Sequence, residues 1–579
     1  MLVPTPTASG LPYRPADFPT LPQALDYAAT GAAGLNFYTG KGQLAEALTY
    51  RQLREQALEL AAAMRARGLV PGERVALIAE TDGDFARAFF ACQYAGLVPT
   101  ALPLPAAFGG RAAYVDHIRR MIEIADAAAA IAPPALAEWL AEACEGLSLK
   151  AAGTLDIFKT ETASPAVALP TVGQDDLCYL QFSSGSTRFP LGVAVTQRAL
   201  MANTLGISRD GLQIGPEDRC VSWLPFYHDM GLVGFLLTPL VCQISIDLFA
   251  TRDFARRPLL WLDLITRNGG TLSYSPTFGY ELCARRAETA SVEGIDLSRW
   301  RGAGIGGDMV RPEPLAKFSE RFARNGFKAS AFVPSYGMAE AALALSFAPL
   351  GQGIRYDTLD TDRLERDHVA VSAEHGAART RDFVLCGPAL PDHVFEVRGE
   401  AGDVLAEAQV GRIFVRGPSL MQSYYGQPEA TDAVLSSDGW LDTGDLGYFS
   451  GGQIVITGRA KDLIIVNGRN IWPQDLEWTA EREVSVLRSG DVAAVSVDSG
   501  AGERILVLVE YRAPDEAARE HLCKEVAAVL RLRHGVDTDV VTIPPRALPR
   551  TSSGKLSRSK AKALYLQGTF GTNAEATAV

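Results

Sequence analysis

Cysteine and histidine are scarce in this 579-residue chain. Eight cysteines, scattered from Cys92 to Cys523, form no C-x-x-C pair, and the seven histidines are dispersed. Neither a disulfide framework nor a structural zinc site is expected, and the cysteines read as reduced, mostly core residues of a cytoplasmic protein. Long hydrophobic runs are missing too. The longest, Gly231 to Cys242, contains Pro239 and falls short of the ~18 residues of a membrane helix, so no stable membrane insertion is expected. The first 22 residues, broken by Pro4, Pro6, Pro12, Pro15, Pro19 and Pro22, hold no apolar core for a signal peptide. Positive charge is in deficit, with a net charge of −12, which argues against a general grip on nucleic acid or anionic lipid and leaves room only for a local basic pocket. No repeat period is visible.

What remains is ordinary globular usage, 47% apolar and 21% charged, which excludes wholesale disorder and fits a large soluble enzyme. At ~150 residues per domain the length corresponds to about four domain-sized units, which large α/β enzymes often merge. Leu53–Met64 has helical spacing, Arg74–Ala79 reads as a buried strand, Asp84–Gly96 as a helix and Val98–Leu104 as a short extended piece. This alternation predicts an α/β fold with mostly parallel sheets. Ala125–Ala130 reads as plain helix on alanine's propensity. Residues 351–381 are polar and aperiodic, which fits a long surface loop or an inserted small element. After Gly458-Arg459-Ala460-Lys461-Asp462 come strand Leu463–Val466, helix Pro473–Glu483, strands Val492–Val497 and Ile505–Glu510, and helix Glu516–Arg533, a compact α+β tail.

Several short motifs can carry chemistry. The strand Leu177–Phe182 runs into Ser183-Ser184-Gly185-Ser186-Thr187-Arg188, whose backbone N–H groups, hydroxyls and cation suit phosphate oxygens; a plain Ser/Thr turn is the other reading. Gly302 to Gly307 satisfies G-x-G-x-x-G, but no good strand precedes it and Pro312 delays the next helix, so a dinucleotide site is not expected. Ser552-Ser553-Gly554-Lys555 is not a Walker loop, because Pro549 stands where the first glycine is required. In Pro225-Phe226-Tyr227-His228-Asp229-Met230-Gly231 a lone histidine lies among apolar residues, and structural and functional roles both stay open. Ser335-Tyr336-Gly337-Met338-Ala339-Glu340 offers an aromatic to stack on a base and a carboxylate for Mg²⁺. Leu441-Asp442-Thr443-Gly444-Asp445 offers a carboxylate to ribose hydroxyls, or is a solvated turn.

The order of these motifs, from about Thr49 to Ser557, resembles the adenylate-forming superfamily of acyl-CoA synthetases, luciferases and peptide-synthetase adenylation domains. Within it the chain is most similar to the fatty acyl-AMP ligases, on the loop ending at Arg188, on Tyr227-His228-Asp229-Met230-Gly231, and on Tyr336-Gly337-Met338-Ala339-Glu340 where other branches show Tyr-Gly-x-Thr-Glu. Residues 351–381 stand where that family carries an insertion linked to poor use of free coenzyme A.

The resemblance implies an N-terminal adenylate-forming domain over residues 1–458, a hinge at 459–462 centred on Lys461, and a mobile C-terminal lid domain over 463–579. It implies that a fatty acid and ATP give acyl-AMP, with Mg²⁺, and that the acyl group then passes to the phosphopantetheine thiol of an acyl carrier protein. No carrier domain follows Lys562, so the carrier is expected to act in trans. Ser183 to Arg188 would cradle phosphates; Ser335, Tyr336, Gly337 and Met338 would border adenine, with Tyr336 stacked on it; Glu340 would hold Mg²⁺; and Asp445 and Arg459 would hold ribose. Lys555 would follow the charge on the acyl carboxylate and α-phosphate, with Glu340 and Arg188 completing the catalytic set. His228 and Met230 would border the acyl tunnel, and Trp223, Phe226 and Phe278 are weaker candidates for its wall. Gly306-Gly307-Asp308-Met309 and Pro334 depart from common superfamily patterns, which shifts base recognition toward backbone carbonyls. The competing readings are an acyl-CoA synthetase using free coenzyme A and a degenerate nucleotide-binding scaffold protein.

Overall fold

The computed structural model describes residues 2–105, 110–158, 168–183, 190–377, 379–466, 469–498, 503–551 and 555–570. Contacts group the chain into two units: Met1–Arg355 with Val384–Phe395 and Val415–Leu441, and Tyr356–Phe383 with Glu396–Phe414 and Asp442–Val579. The fold is α/β, a large N-terminal part built on mostly parallel sheets and a small C-terminal part. Among the described residues no helix is long and apolar enough to cross a membrane.

Two sheets organise the first unit. The eight-stranded sheet runs in the order Ala344–Phe347, Phe332–Gly337, Gly302–Ile305, Leu272–Ser275, Cys220–Ser222, Ile246–Phe249, Gly34–Tyr38, Leu44–Thr49, parallel except for its two edge strands. The seven-stranded sheet runs Ser423–Tyr424, Gly192–Thr196, Leu177–Phe182, Val98–Leu102, Arg74–Ile78, Ala127–Ile131, Ala151–Gly153. Strands buried on both faces need continuous apolar runs, which is what Val75–Ile78 supplies. The intervening helices carry their own boundaries. A reciprocal capping box between Thr49 and Gln52 starts Tyr50–Ala66; Asp82 caps Gly83–Ala95, and left-handed Gly96 ends it.

The alanine run is a correction. Asp126 adopts φ +46° just after the helix Gly110–Ile124, and Ala127–Ile131 is a strand between Arg74–Ile78 and Ala151–Gly153. Alanine's helical propensity amounts to tenths of a kcal/mol per residue, and two flanking ladders outweigh it. The Gly302–Ile305 run is itself a strand, with Gly304 giving room to the Tyr274 ring, which lies 1.9 Å from where a Cβ would stand. All eight cysteines are free, and only Cys144 is not fully buried.

In the second unit the 351–381 region holds a strand, Tyr356–Asp360, a helix, Thr361–Asp367, and a paired strand, Thr380–Val384, so it is a small folded element and not a bare loop. The tail builds a three-stranded sheet of Val492–Asp498, Glu503–Glu510 and Thr538–Ile543, covered by Pro473–Glu483 and Glu516–His534.

A buried ion pair ties together three neighbouring interior strands of the larger sheet, with Arg219 directly before Cys220–Ser222, Asp247 in Ile246–Phe249 and Asn36 in Gly34–Tyr38. Arg219 donates to both oxygens of Asp247, from Nε and Nη2 at 2.6 Å each, and from Nη1 to the Thr5 carbonyl at 2.8 Å. Asn36 adds a bond to Asp247 at 3.0 Å and receives the Thr5 N–H at 2.8 Å. Arg219→Ala strands a buried carboxylate and is expected to cost about 3–5 kcal/mol in urea unfolding, whereas Arg219→Met with Asp247→Leu recovers most of the loss. Equal costs for the single and double variants would show that pairing is not what matters there.

Candidate active site

The strand Phe332–Gly337 ends in a tight return. Met338 N–H donates to the Leu343 carbonyl at 2.8 Å, and that oxygen lies 1.9 Å from where a Cβ on Gly337 would stand, so only glycine fits. Behind it Ala342 has φ 62° and ψ −56°, and Leu343 N–H donates to Ala341 O at 2.7 Å: a γ-turn, strained for a residue with a side chain. Two groups hold it. Fully buried Asn203 clasps Ala344, Nδ2 to its carbonyl at 2.7 Å and Oδ1 from its N–H at 3.1 Å. Glu340 O accepts from Met421 N–H at 2.7 Å, and Glu340 Oε1 accepts from the Tyr424 hydroxyl at 2.8 Å.

Glu340 is 9% exposed, a buried carboxylate at the head of this turn. Among the described residues no cluster of three or more His, Cys, Asp or Glu could hold a metal. An ion held by side chains alone therefore does not fit, whereas Mg²⁺ held by one carboxylate and substrate phosphates does, being a hard cation that prefers few protein oxygens.

Neighbouring candidates gather around the same strand. Tyr336 is half-buried, its ring 6.1 Å from Phe395, and Ser335 Oγ donates weakly to Ile305 O at 3.3 Å. A Cβ on Gly306 would stand 2.9 Å from Ser335 Oγ, and one on Gly307 would stand 3.1 Å from Met230 Cε. Met230 thus reaches the turn beside Ser335, and Met338 lies half-buried below it. His228 opens the short helix Asp229–Leu232, with Nδ1 2.7 Å from Asp229 Oδ1. The aromatic candidates sit elsewhere. Phe226 is fully buried and stacks on Phe85 at 5.3 Å, and Trp223 stacks on Phe254 at 3.9 Å with its edge toward Trp261; both are core. Phe278, 5.8 Å from Trp223, is 43% exposed.

Ser183 lies half-buried where the strand Leu177–Phe182 ends, its N–H on Leu191 O at 2.9 Å; Ser184, Gly185, Ser186, Thr187 and Arg188 lie outside the described residues. In the second unit Asp445 and Arg459 face each other across a hairpin, Arg459 Nε 3.1 Å from Asp445 Oδ1, with Asp445 buried and Arg459 exposed. Lys461 follows in a short turn, its ammonium lowered from the usual lysine range by partial burial and then by Arg459. Lys555 N–H donates to Thr551 Oγ1 at 3.2 Å and Thr551 N–H to Lys555 O at 2.8 Å, closing the loop on which the lysine stands. Arg558 beside it grips both oxygens of Glu477, at 2.8 and 2.6 Å, and Asp462 at 3.1 Å.

The motif reading missed Asn203, Tyr424 and Arg558. Asn203 and Tyr424 act from distant parts of the chain, and Arg558, close to Lys555, finds its partners Glu477 and Asp462 81 and 96 residues away; nothing in their local sequence marks them. Gly337→Ala is expected to push Leu343 out of place and weaken ATP binding about tenfold or more, with Gly215→Ala as an open-space control. Unaltered affinity in a nucleotide titration would show that the return is not part of the site.

Comparisons with known proteins bear on the family and the fold. Residues 29–425 match the AMP-binding enzyme family. A Caulobacter vibrioides (strain NA1000 / CB15N) protein with the provisional name acyl-CoA synthetase is 58% identical, over 98% of this chain and 99% of its own. The medium-chain-fatty-acid–[acyl-carrier-protein] ligase JamA of Moorena producens (strain JHB) is 31% identical, over 96% of each chain. A solved chain from a study of fatty acyl-adenylate ligases from E. coli and L. pneumophila superposes with a TM-score of 0.91 at 45% identity, covering 96% of this chain and 100% of that one. The chain therefore belongs to the AMP-binding enzyme family, as an ATP-dependent ligase with the fold of the fatty acyl-AMP ligases.

Proposed function

We propose that this fatty acyl-adenylate ligase passes its acyl group to a carrier-protein thiol in trans rather than to free coenzyme A. The observation that carries the acceptor choice is the tie between the 356–383 element and the C-terminal residues of the same unit. Buried Arg381 lies 2.6 Å from buried Asp475, Glu365 is gripped by Arg379 at 2.6 Å and Arg469 at 2.7 Å, and Asn470 bonds His368 at 2.9 Å. Breaking such pairs strands buried charge, so the element and the tail resist separation. That supports a restrained lid around the proposed hinge, 459–462 with Lys461, and a poor fit for a small diffusing thiol.

In the first step a fatty carboxylate oxygen attacks the α-phosphorus of ATP and the bond to the β-phosphate bridging oxygen breaks, giving acyl-AMP and pyrophosphate. In the second a thiol sulfur attacks the acyl carbon and AMP leaves with loss of the thiol proton. Positioning and charge neutralisation dominate. Glu340 would hold Mg²⁺, which when bound neutralises phosphate charge. Ser183 to Arg188 would cradle the phosphates, Tyr336 would stack on adenine between Ser335, Gly337 and Met338, and Asp445 and Arg459 would hold the ribose. Lys555 would balance charge at the α-phosphate, and His228 and Met230 would border the acyl chain.

The second reading, an acyl-CoA synthetase, has the name of the Caulobacter relative in its favour. Products from MgATP and a fatty-acid panel, with and without coenzyme A, separate the two by mass spectrometry. Acyl-AMP that persists beside coenzyme A is expected; efficient acyl-CoA formation would sink the proposal. Lys555→Ala is expected to keep folding and ATP binding while pyrophosphate release drops about a hundredfold or more, and near-normal release would remove the lysine from the mechanism.

A further inference from the structure

Tyr424 is 7% exposed, and its hydroxyl donates to Glu340 Oε1 at 2.8 Å across a separation of 84 residues. Its backbone belongs to the other sheet: Ser423–Tyr424 pairs antiparallel with Val193 and Ala194, Gln422 N–H bonds Ala194 O at 2.9 Å, and Tyr425 N–H bonds Gly192 O at 2.7 Å. The strand Gly192–Thr196 is the one that leaves the loop assigned to phosphate, while Glu340 follows the strand assigned to adenine. One hydroxyl therefore ties a strand of one sheet to the carboxylate that follows a strand of the other.

The Glu340 side chain also has little freedom of its own. Its carbonyl is fixed by Met421 N–H, the following γ-turn at Ala342 is strained, and Asn203 closes the loop at Ala344. Strained backbone persists only where surrounding bonds over-determine it, and such places cluster at functional sites. Here the backbone sets where the carboxylate stands, and the Tyr424 hydroxyl gives one of its oxygens a charge-assisted bond.

We propose that Tyr424 is a positioning residue for Glu340, its hydroxyl holding one carboxylate oxygen so that the other is turned toward the magnesium ion of bound nucleotide. The inference rests on the reading of Glu340 as the metal ligand. It is read on the protein–nucleotide complex before any acyl substrate is added, so it is separable from the fatty-acid and acceptor assignments.

Mn²⁺ is the probe, titrated into the full chain with ATP and followed by electron paramagnetic resonance. Tyr424→Phe, which removes only the hydroxyl, is expected to weaken Mn²⁺ binding about tenfold. Metal-free AMP affinity should stay within about twofold and thermal unfolding within a few degrees, which a loss of structure would not spare. Glu340→Gln is expected to weaken Mn²⁺ at least as much, and adding Tyr424→Phe to it should change little more, because the hydroxyl acts through the carboxylate. Ala342→Gly, which relaxes the turn without touching either side chain, is expected to weaken Mn²⁺ in the same direction. Unchanged Mn²⁺ affinity in Tyr424→Phe, or an undiminished Tyr424→Phe effect in the Glu340→Gln background, would overturn the proposal. An unmoved affinity in Glu340→Gln alone would overturn it together with the assignment of Glu340, whatever pyrophosphate release the wild-type protein shows.

Discussion

Between Gly337 and Leu343 the backbone doubles back so closely that a carbonyl oxygen fills the space of a side chain. Everything chemical near this strand inherits that constraint. Met338 must bond Leu343, the chain must turn within a few residues, and Glu340 must leave at the head of the turn. A carboxylate buried to that degree costs several kcal/mol unless hydrogen bonds reach it, and the Tyr424 hydroxyl supplies one. Glycine does the same work nearby. Gly304 gives way to the Tyr274 ring, and Gly307, at φ +80°, leaves the space that Met230 enters. Absent side chains, more than present ones, shape this face of the sheet.

Charge is divided between two uses. Arg219 with Asp247 in the first unit, and Arg381 with Asp475 in the second, are buried and paired. Burial pushes Asp475 up and Arg381 down in pKa, so each depends on the other to stay charged. Arg459, exposed though it pairs with Asp445, and half-buried Lys555 keep a face that an incoming anion can meet. Deeply buried pairs set the scaffold, and the cations proposed for chemistry are less buried than they are.

Much of the fold was legible because its elements carry their own signals. Thr49 and Gln52 start a helix, Gly96 ends one, and Val75–Ile78 can only be an interior strand. Ala127–Ile131 was not legible, since alanine is small enough for a crowded sheet interior and local propensity speaks for helix. The site divides likewise. Tyr336 and Glu340 are readable because a short motif holds both an aromatic and a carboxylate. Trp223 and Phe226 looked like tunnel wall beside His228 but point into aromatic core, because sequence does not say which sheet face a residue takes across an irregular turn. Asn203 and Tyr424 were invisible, being defined by partners 141 and 84 residues away.

His228 shows why a structural and a functional role need not compete. Its Nδ1 lies 2.7 Å from Asp229 Oδ1, which also takes the Met230 N–H at 2.6 Å, while the direct Met230 N–H contact to Nδ1 is longer, at 3.3 Å. Ring and carboxylate both face the Met230 N–H at the helix start, the carboxylate more closely. The Asp229 bond fixes the plane of the ring, and Met230, next in the chain, reaches the Gly306–Gly307 turn beside Ser335. A histidine held in this way by its neighbour has its ring oriented by the fold itself, so a structural role does not argue against a functional one.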